Sequence, residues 1–264
     1  QSTGSSCVKD EDLFACAELV RRGDSERFMA AMAAPVAARA ILFPLFAFNL
    51  EVARAPWVTQ EPMIAEMRLQ WWRDVLAEIR GGGPVRRHEV ATPLSAVLDS
   101  EGAGLLDDLI VARRWDIYRA PFADRAAFDD YLTRTSGHLM WVAARALGTA
   151  SRDAVLSAGY AHGMANFLRA IPALERAGRV PLLDGRAEAV RDLARDAMSR
   201  LAAVRAQRSR VTRPARPALL PLWKTSAVLR RAARDPHHVA AGTLDVAPLR
   251  GRFTLMVSAL SGRW

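Results

Sequence analysis

Few side chains in this sequence could do chemistry unaided. His237-His238 is the one adjacent histidine pair. Imidazoles suit transition metals, but these two follow Asp235-Pro236, a turn dipeptide that places them in a loop, where neighbouring histidines are more commonly solvated than ligating. Asp107-Asp108 and Asp129-Asp130 are hard-oxygen pairs of the type that hold Mg²⁺ or Ca²⁺. Neither has a carboxylate one helical turn away, and each falls where a helix takes N-terminal or exposed acids. No Gly-rich phosphate loop, Gly-x-Ser-x-Gly turn or His-Glu-x-x-His motif is present. Cys7 and Cys16 are too few for a disulfide framework or a four-ligand zinc site. On one helix they would lie about 13 Å apart, beyond the reach of a disulfide. By motif alone the chain reads as a helical bundle without a self-contained chemical site.

Composition narrows the class. The chain has 264 residues, 51% apolar and 25% charged, enough to build a sizeable core and to exclude wholesale disorder. The net charge is +9, and it is unevenly spread. From Arg186 to Trp264 there are 16 Lys+Arg against 5 Asp+Glu, a net of +11, which leaves 21 against 23, a net of −2, for the first 185 residues. Such a basic segment suits an anionic membrane surface, a protein partner or nucleic acid, and overall pI alone is weak support for the last. Low cysteine use points to a reducing, cytoplasmic setting. Residues 1–8 read as a polar tail or cloning remnant, and 9–264 as one domain.

The elements that must position any site are helical. Residues 10–22 run from acids to Arg21-Arg22, the order a helix dipole favours. The stretch 28–50 is apolar enough to suggest a membrane span, but Arg39 at its middle, with Pro35 and Pro44, argues for two soluble helices meeting at Pro35. The second of these is apolar almost all round, which marks a central helix. Met63, Met67, Trp71, Val75 and Ile79 recur at spacing four in the next, which Gly81-Gly82-Gly83-Pro84 ends. Trp71 and Trp72 lie about 100° apart on it, as ordinary packing would place them. Further helices are expected over 92–98, 105–119, 124–147, 153–173, 186–211, 219–234 and 246–260, and no β-branched alternation appears.

The order of several segments resembles the squalene/phytoene synthase family. Gly159-Tyr160-Ala161-His162-Gly163-Met164-Ala165-Asn166-Phe167-Leu168-Arg169, followed by Gly178-Arg179, is similar to its second signature. Phe128–Tyr131, Ser136-Gly137 and Asp116 fall where the family has related residues, and 35–48 resembles its first-signature helix. The resemblance covers roughly residues 24–185 and implies an all-α, single-domain helical bundle of the isoprenoid synthase type. Active members join two prenyl diphosphates with Mg²⁺ held by two aspartate motifs, each with aspartates four apart. Here the second motif's aspartates align with Ala170 and Leu174 and its glutamine with Gly163, while the first motif's align with Ala53 and Trp57. Arg54 beside them would repel a cation. Ala47-Phe48-Asn49-Leu50-Glu51, the following run to Gln70-Trp71-Trp72, and Leu168-Arg169-Ala170 with Pro172 are closer to an aspartate-lacking branch. That branch includes an assembly factor of mitochondrial respiratory complex I and its bacterial relatives.

The resemblance therefore implies a non-catalytic assembly or scaffold factor without a metal cofactor, binding a complex I subunit or assembly protein, with an isoprenoid or lipid in the old cavity. It would be cytoplasmic or peripheral to the inner membrane. Two rivals stand beside it: a prenyl diphosphate transferase with a remodelled site, for which Mg²⁺ would be required, and a basic nucleic-acid binder. Candidate ligand residues are Asn49, Glu51, Arg54, Arg68, Asn166, Arg169 and Arg179. Asn49 and Glu51 either end their helix or stand in for the aspartates at the cavity mouth. Arg68, Arg73, Arg169 and Arg179 either line an anion site or pair with Glu66, Asp74 or Glu175 on the surface.

Overall fold

The computed structural model describes residues 10–59 and 61–264. Cys7 and the stretch 1–8 lie outside the described residues. The described residues form α-helices with short 3-10 turns, a single isolated antiparallel bridge between Ala150 and Val211, and no β-strand.

Helix α1 (Asp10–Gly23) has three acids in its first turn and Arg21-Arg22 in its last, and α2 (Ser25–Ala33) is capped by the Asp24 carboxylate. Pro35 then separates α2 from α3 (Val36–Arg54), so the apolar run is two helices. Among the described residues α3 is the one helix long and apolar enough to cross a membrane, yet 61% of that window is buried inside the protein. It is the central helix that its all-round apolar character indicated. Helix α4 (Pro62–Gly81) stops at Gly82, whose φ of 67° is the left-handed cap that glycine adopts without strain. Trp72 faces the core while Trp71 lies half-buried against His88.

Beyond it come α5 (Ala91–Val97) and α6 (Ser100–Arg113), the latter starting earlier than its hydrophobic pattern suggested because Asp99 caps Gly102. A 3-10 turn (Arg114–Asp116) follows. Residues 125–147 form one continuous rod: α7 (Arg125–Leu132), a π turn (Thr133–Gly137) and α8 (His138–Leu147). Helix α9 (Arg152–Arg176) packs across that π turn. Gly159 permits the crossing: a Cβ there would come within 2.6 Å of the Gly137 Cα.

Helix α10 (Ala187–Ala206) ends short of residue 211. The segment 216–224 is a 3-10 turn, not the start of an α-helix; Pro221 inside it removes an amide donor that an α-helix would use. Then come α11 (Thr225–Arg234), the short α12 (His237–Ala240) and α13 (Pro248–Ser261). One cluster of buried side chains runs from Cys16 to Trp264. Burial, with Glu89 and Asp12 adding to it, pushes the Cys16 thiol up to about 12, so it behaves as an inert core residue.

Candidate functional site

A cavity of about 240 Å³ lies between α3, the 3-10 turn at 114–116, the π turn and α9. Ala53 and Trp57 reach it from the end of α3 and the following turn, and Gly163, Ala170 and Leu174 from α9. Positions aligned with two sequence-distant motifs thus border one cavity. Two aromatic rings, Tyr131 and Phe167, line the cavity and meet edge to face at 6.1 Å; behind them Trp115 stacks on Phe122 at 4.2 Å, with Tyr131 edge-on to both.

One side of the cavity is polar. Arg113 donates to Asp116 Oδ2 at 3.0 Å and to the Tyr131 hydroxyl at 3.0 Å, and that hydroxyl donates to Asp116 Oδ1 at 2.8 Å. Burial opposes the Arg113 charge, but Tyr131 and Asp116 outweigh it and hold its pKa above the usual value. Burial pushes the Tyr131 phenol up, despite the adjoining guanidinium, so it stays protonated and keeps donating. Asp116 is the one carboxylate in the cavity wall, and both of its oxygens are taken. Arg27, also in the wall, pairs with the cap residue Asp24 at 2.6 Å. Among the described residues Arg113 Nε and Ser136 Oγ have no protein partner at this wall.

The expected site residues divide into three groups. Asn166 lines the cavity. Its amide nitrogen sits 3.0 Å from His162 Nε2 and its oxygen accepts from Arg169 at 3.4 Å. An amide nitrogen only donates, so His162 carries its proton on Nδ1 and donates it to Thr225 Oγ1 at 3.1 Å. Burial, reinforced by the charge of Arg27, depresses the His162 pKa to about 3 and keeps the ring neutral. Arg169 lies outside the cavity wall, where Glu26 binds it at 2.9 and 3.0 Å and Asp245 at 2.6 Å. Lys224 joins the same Glu26 at 2.8 Å. The Arg169 guanidinium is therefore compensated from α2 and from the 245 loop.

Asn49, Glu51, Arg54 and Arg68 do not meet in the cavity. Helix α3 continues to Arg54, so neither Asn49 nor Glu51 ends it. Asn49 is buried with Oδ1 unpartnered, Glu51 is half-buried, and Arg54 and Arg68 are exposed. Arg73 pairs with Asp107 at 2.7 Å, not with Glu66 or Asp74. Arg179 lines an outer groove of about 720 Å³ together with Arg119 and Arg176. It donates to the carbonyls of Trp115, Asp116 and Tyr118 and lies over the Trp57 ring at 5.3 Å. Most of its donors tie the 114–118 turn to residue 179. Trp57 borders both the groove and the cavity.

Three of the four paired carboxylates are engaged elsewhere: Asp107 with Arg73, Asp129 with Arg125 and Tyr160, and Asp130 with Arg134. His237 and His238 form the first turn of the short helix α12, not a loop, because Pro236 starts a helical turn there, and His238 bonds Thr243 Oγ1 at 2.7 Å. Among the described residues no three His, Cys, Asp or Glu side chains converge as a metal site.

Arg27, Arg113 and the Glu26–Lys224–Asp245 set escape a reading by motif. Arg27 three residues after the Asp24 cap and Arg113 three before Asp116 are helical pair spacings, and these were the only signals in reach. The acids around Arg169 come from segments far away in sequence.

The family model for squalene/phytoene synthases matches residues 20–182. "NADH dehydrogenase (ubiquinone) complex I, assembly factor 6" of Bos taurus is 26% identical over 172 residues, covering 60% of this chain and 48% of that protein. The protein of the same description in Homo sapiens gives the same figures, and its Drosophila melanogaster homolog is 28% identical over 166 residues, covering 60% and 50%. The chain thus spans about half the length of these curated relatives. Among solved structures, a dehydrosqualene synthase in complex with ligand superposes with a TM-score of 0.77 at 15% identity, over 95% of this chain and 96% of that one. The squalene synthase HpnC from Alicyclobacillus acidocaldarius gives 0.68 at 18%, over 84% and 93%. At these identities the likeness is one of fold.

Proposed function

The chain belongs to the squalene/phytoene synthase family, and from that premise we propose that it is a non-catalytic member acting as an assembly or scaffold factor of the respiratory complex I type. The observation that carries this reading is the chemistry of the cavity wall. The resemblance places a synthase's metal-holding aspartates at Ala53, Trp57, Ala170 and Leu174, and all four of these side chains line one cavity. None offers an oxygen. Mg²⁺ demands close to six oxygen ligands, with carboxylates supplying the charge. The one wall carboxylate, Asp116, is held by Arg113 and Tyr131. This donor set does not fit the ion.

Two further features support a binding role over turnover. Gly163 stands where the resemblance puts a glutamine, and a Cβ there would meet Ser136 Cβ at 2.9 Å, so the position is closed to a side chain without displacement. The cavity, about 240 Å³, lies below the roughly 300–1,000 Å³ of ordinary ligand pockets. It suits a single slender apolar chain, such as an isoprenoid or lipid tail, better than two prenyl substrates. The curated relatives are complex I assembly factors by description, which points the partner toward a complex I subunit or another assembly protein.

The test is genetic. Deleting the encoding gene is expected to lower assembled complex I and to leave isoprenoid products unchanged. Loss of an isoprenoid product with normal complex I would overturn the reading.

A further inference from the structure

Helix α13 carries its large apolar side chains on the wrong side for a core helix. Leu249, Phe253, Met256 and Leu260 follow one another at spacings of four, three and four, with Val257 beside them, and all are exposed. Leu249 and Leu260 are more than four-fifths exposed, at 81% and 82%. The opposite face holds the helix to the bundle. Leu255 and Ser258 are buried, and Gly251 sits so close to Trp223 that a Cβ would meet its ring at 2.8 Å. The outward stripe is therefore fixed in place, not a frayed end. It continues past the helix: Leu260 shares a groove with Ala33 and Pro35, beside which Met32 and Val36 are also exposed.

The stretch of chain that carries this apolar surface is one-sided in charge. From Arg205 to Trp264 there are twelve Lys+Arg against two Asp+Glu, a net of +10. Of the two acids, Asp245 is taken by Arg169 and Asp235 lies 3.8 Å from His238. Arg213 and Arg216 line the groove with Leu260, while Arg252 on α13 and Arg263 just after it are exposed. We propose that the outer face of α13, with its arginine rim, docks the protein on an anionic membrane surface.

The charge pattern selects that occupant. A second copy would bring an equal positive field onto the same stripe and be repelled. A lipid surface supplies both halves of the match: headgroup anions for the arginines and an acyl boundary for Leu249, Phe253, Met256 and Leu260. The helix lies along the protein surface, so its stripe can enter the interface without unfolding. Nothing in this inference depends on the cavity or on the assembly-factor reading.

Vesicle flotation of the full chain tests it, using phosphatidylcholine mixed with phosphatidylglycerol and, separately, phosphatidylcholine alone. Binding is expected only to the mixed vesicles and should weaken as salt rises. The Phe253→Asp/Leu260→Asp variant should lose it, with an unchanged circular dichroism spectrum. Arg252→Glu, a surface change that spares the packed face, should weaken partitioning about fivefold or more, from about 1 kcal/mol per cation near an anionic surface. Equal binding to neutral vesicles, no binding to either, or full binding by the double variant would overturn the proposal. So would a wild-type dimer in sedimentation that the double variant converts to monomer, since the face would then belong to a second copy.

Discussion

Substituting Asp116 by Asn tests whether the polar wall of the cavity is structural. The change keeps the shape and an oxygen for the Tyr131 hydroxyl, but it removes the charge opposite Arg113. Removing one partner from a buried ion pair costs roughly 3–5 kcal/mol. The Asp116 side chain is 5% exposed and that of Arg113 is 21%, so water can reach part of the stranded guanidinium. About 2–3 kcal/mol is the expected loss. For a chain of this size that lowers the melting temperature by roughly 5–10 °C. Urea denaturation followed by circular dichroism measures it. The companion variant Asp116→Asn/Arg113→Met removes both charges and should recover at least about 1 kcal/mol relative to the single change, because no unpaired cation remains. If Asp116→Asn matched the wild type within about 0.5 kcal/mol, or if the two changes simply added, the carboxylate would be free of Arg113 and open to another role.

Two other perturbations probe the frame. His162 has a folded pKa near 3 against an ordinary value of 6.5, so the unfolded chain binds the extra proton between these values and stability falls as pH drops through that window. One such group contributes up to about 1.4 kcal/mol per pH unit. His162→Gln should flatten the fall in melting temperature between about pH 6 and 4, and an unchanged slope would assign the fall elsewhere. Gly159→Ala places a Cβ within 2.6 Å of the Gly137 Cα and 3.0 Å of the Ser136 carbonyl. Backbone cannot yield as a flexible side chain does, so a loss of about 1–3 kcal/mol is expected. A variant as stable as the wild type would show that α9 and the π turn can part freely.

The helices were legible where burial imposes a pattern. The all-round apolar run of α3 announced a central helix, and Pro35 announced where it begins. Boundaries slipped where local chemistry overrides periodicity. Asp99 starts α6 early by capping Gly102, and Pro221 sits inside the 3-10 segment 216–224. The site was legible by position and not by partnership. Ala53, Trp57, Gly163, Ala170 and Leu174 stand at positions where the resembled motifs carry other residue types, and all five line one cavity. Arg169 was singled out too, yet its environment depends on Glu26, 143 residues away. Its charge is largely spent on Glu26 and Asp245, which no spacing rule connects. The basic excess of the last third was countable from composition, but its meeting with an outward apolar stripe appears only once α13 is seated by Gly251 and Leu255.

The most direct test of the central claim uses purified protein with farnesyl or geranylgeranyl diphosphate and Mg²⁺, measuring released diphosphate. With Ala53, Trp57, Ala170 and Leu174 at the cavity wall and Asp116 already paired, the expected result is no release above the protein-free rate. Mg²⁺-dependent diphosphate release on repeated turnover would contradict it.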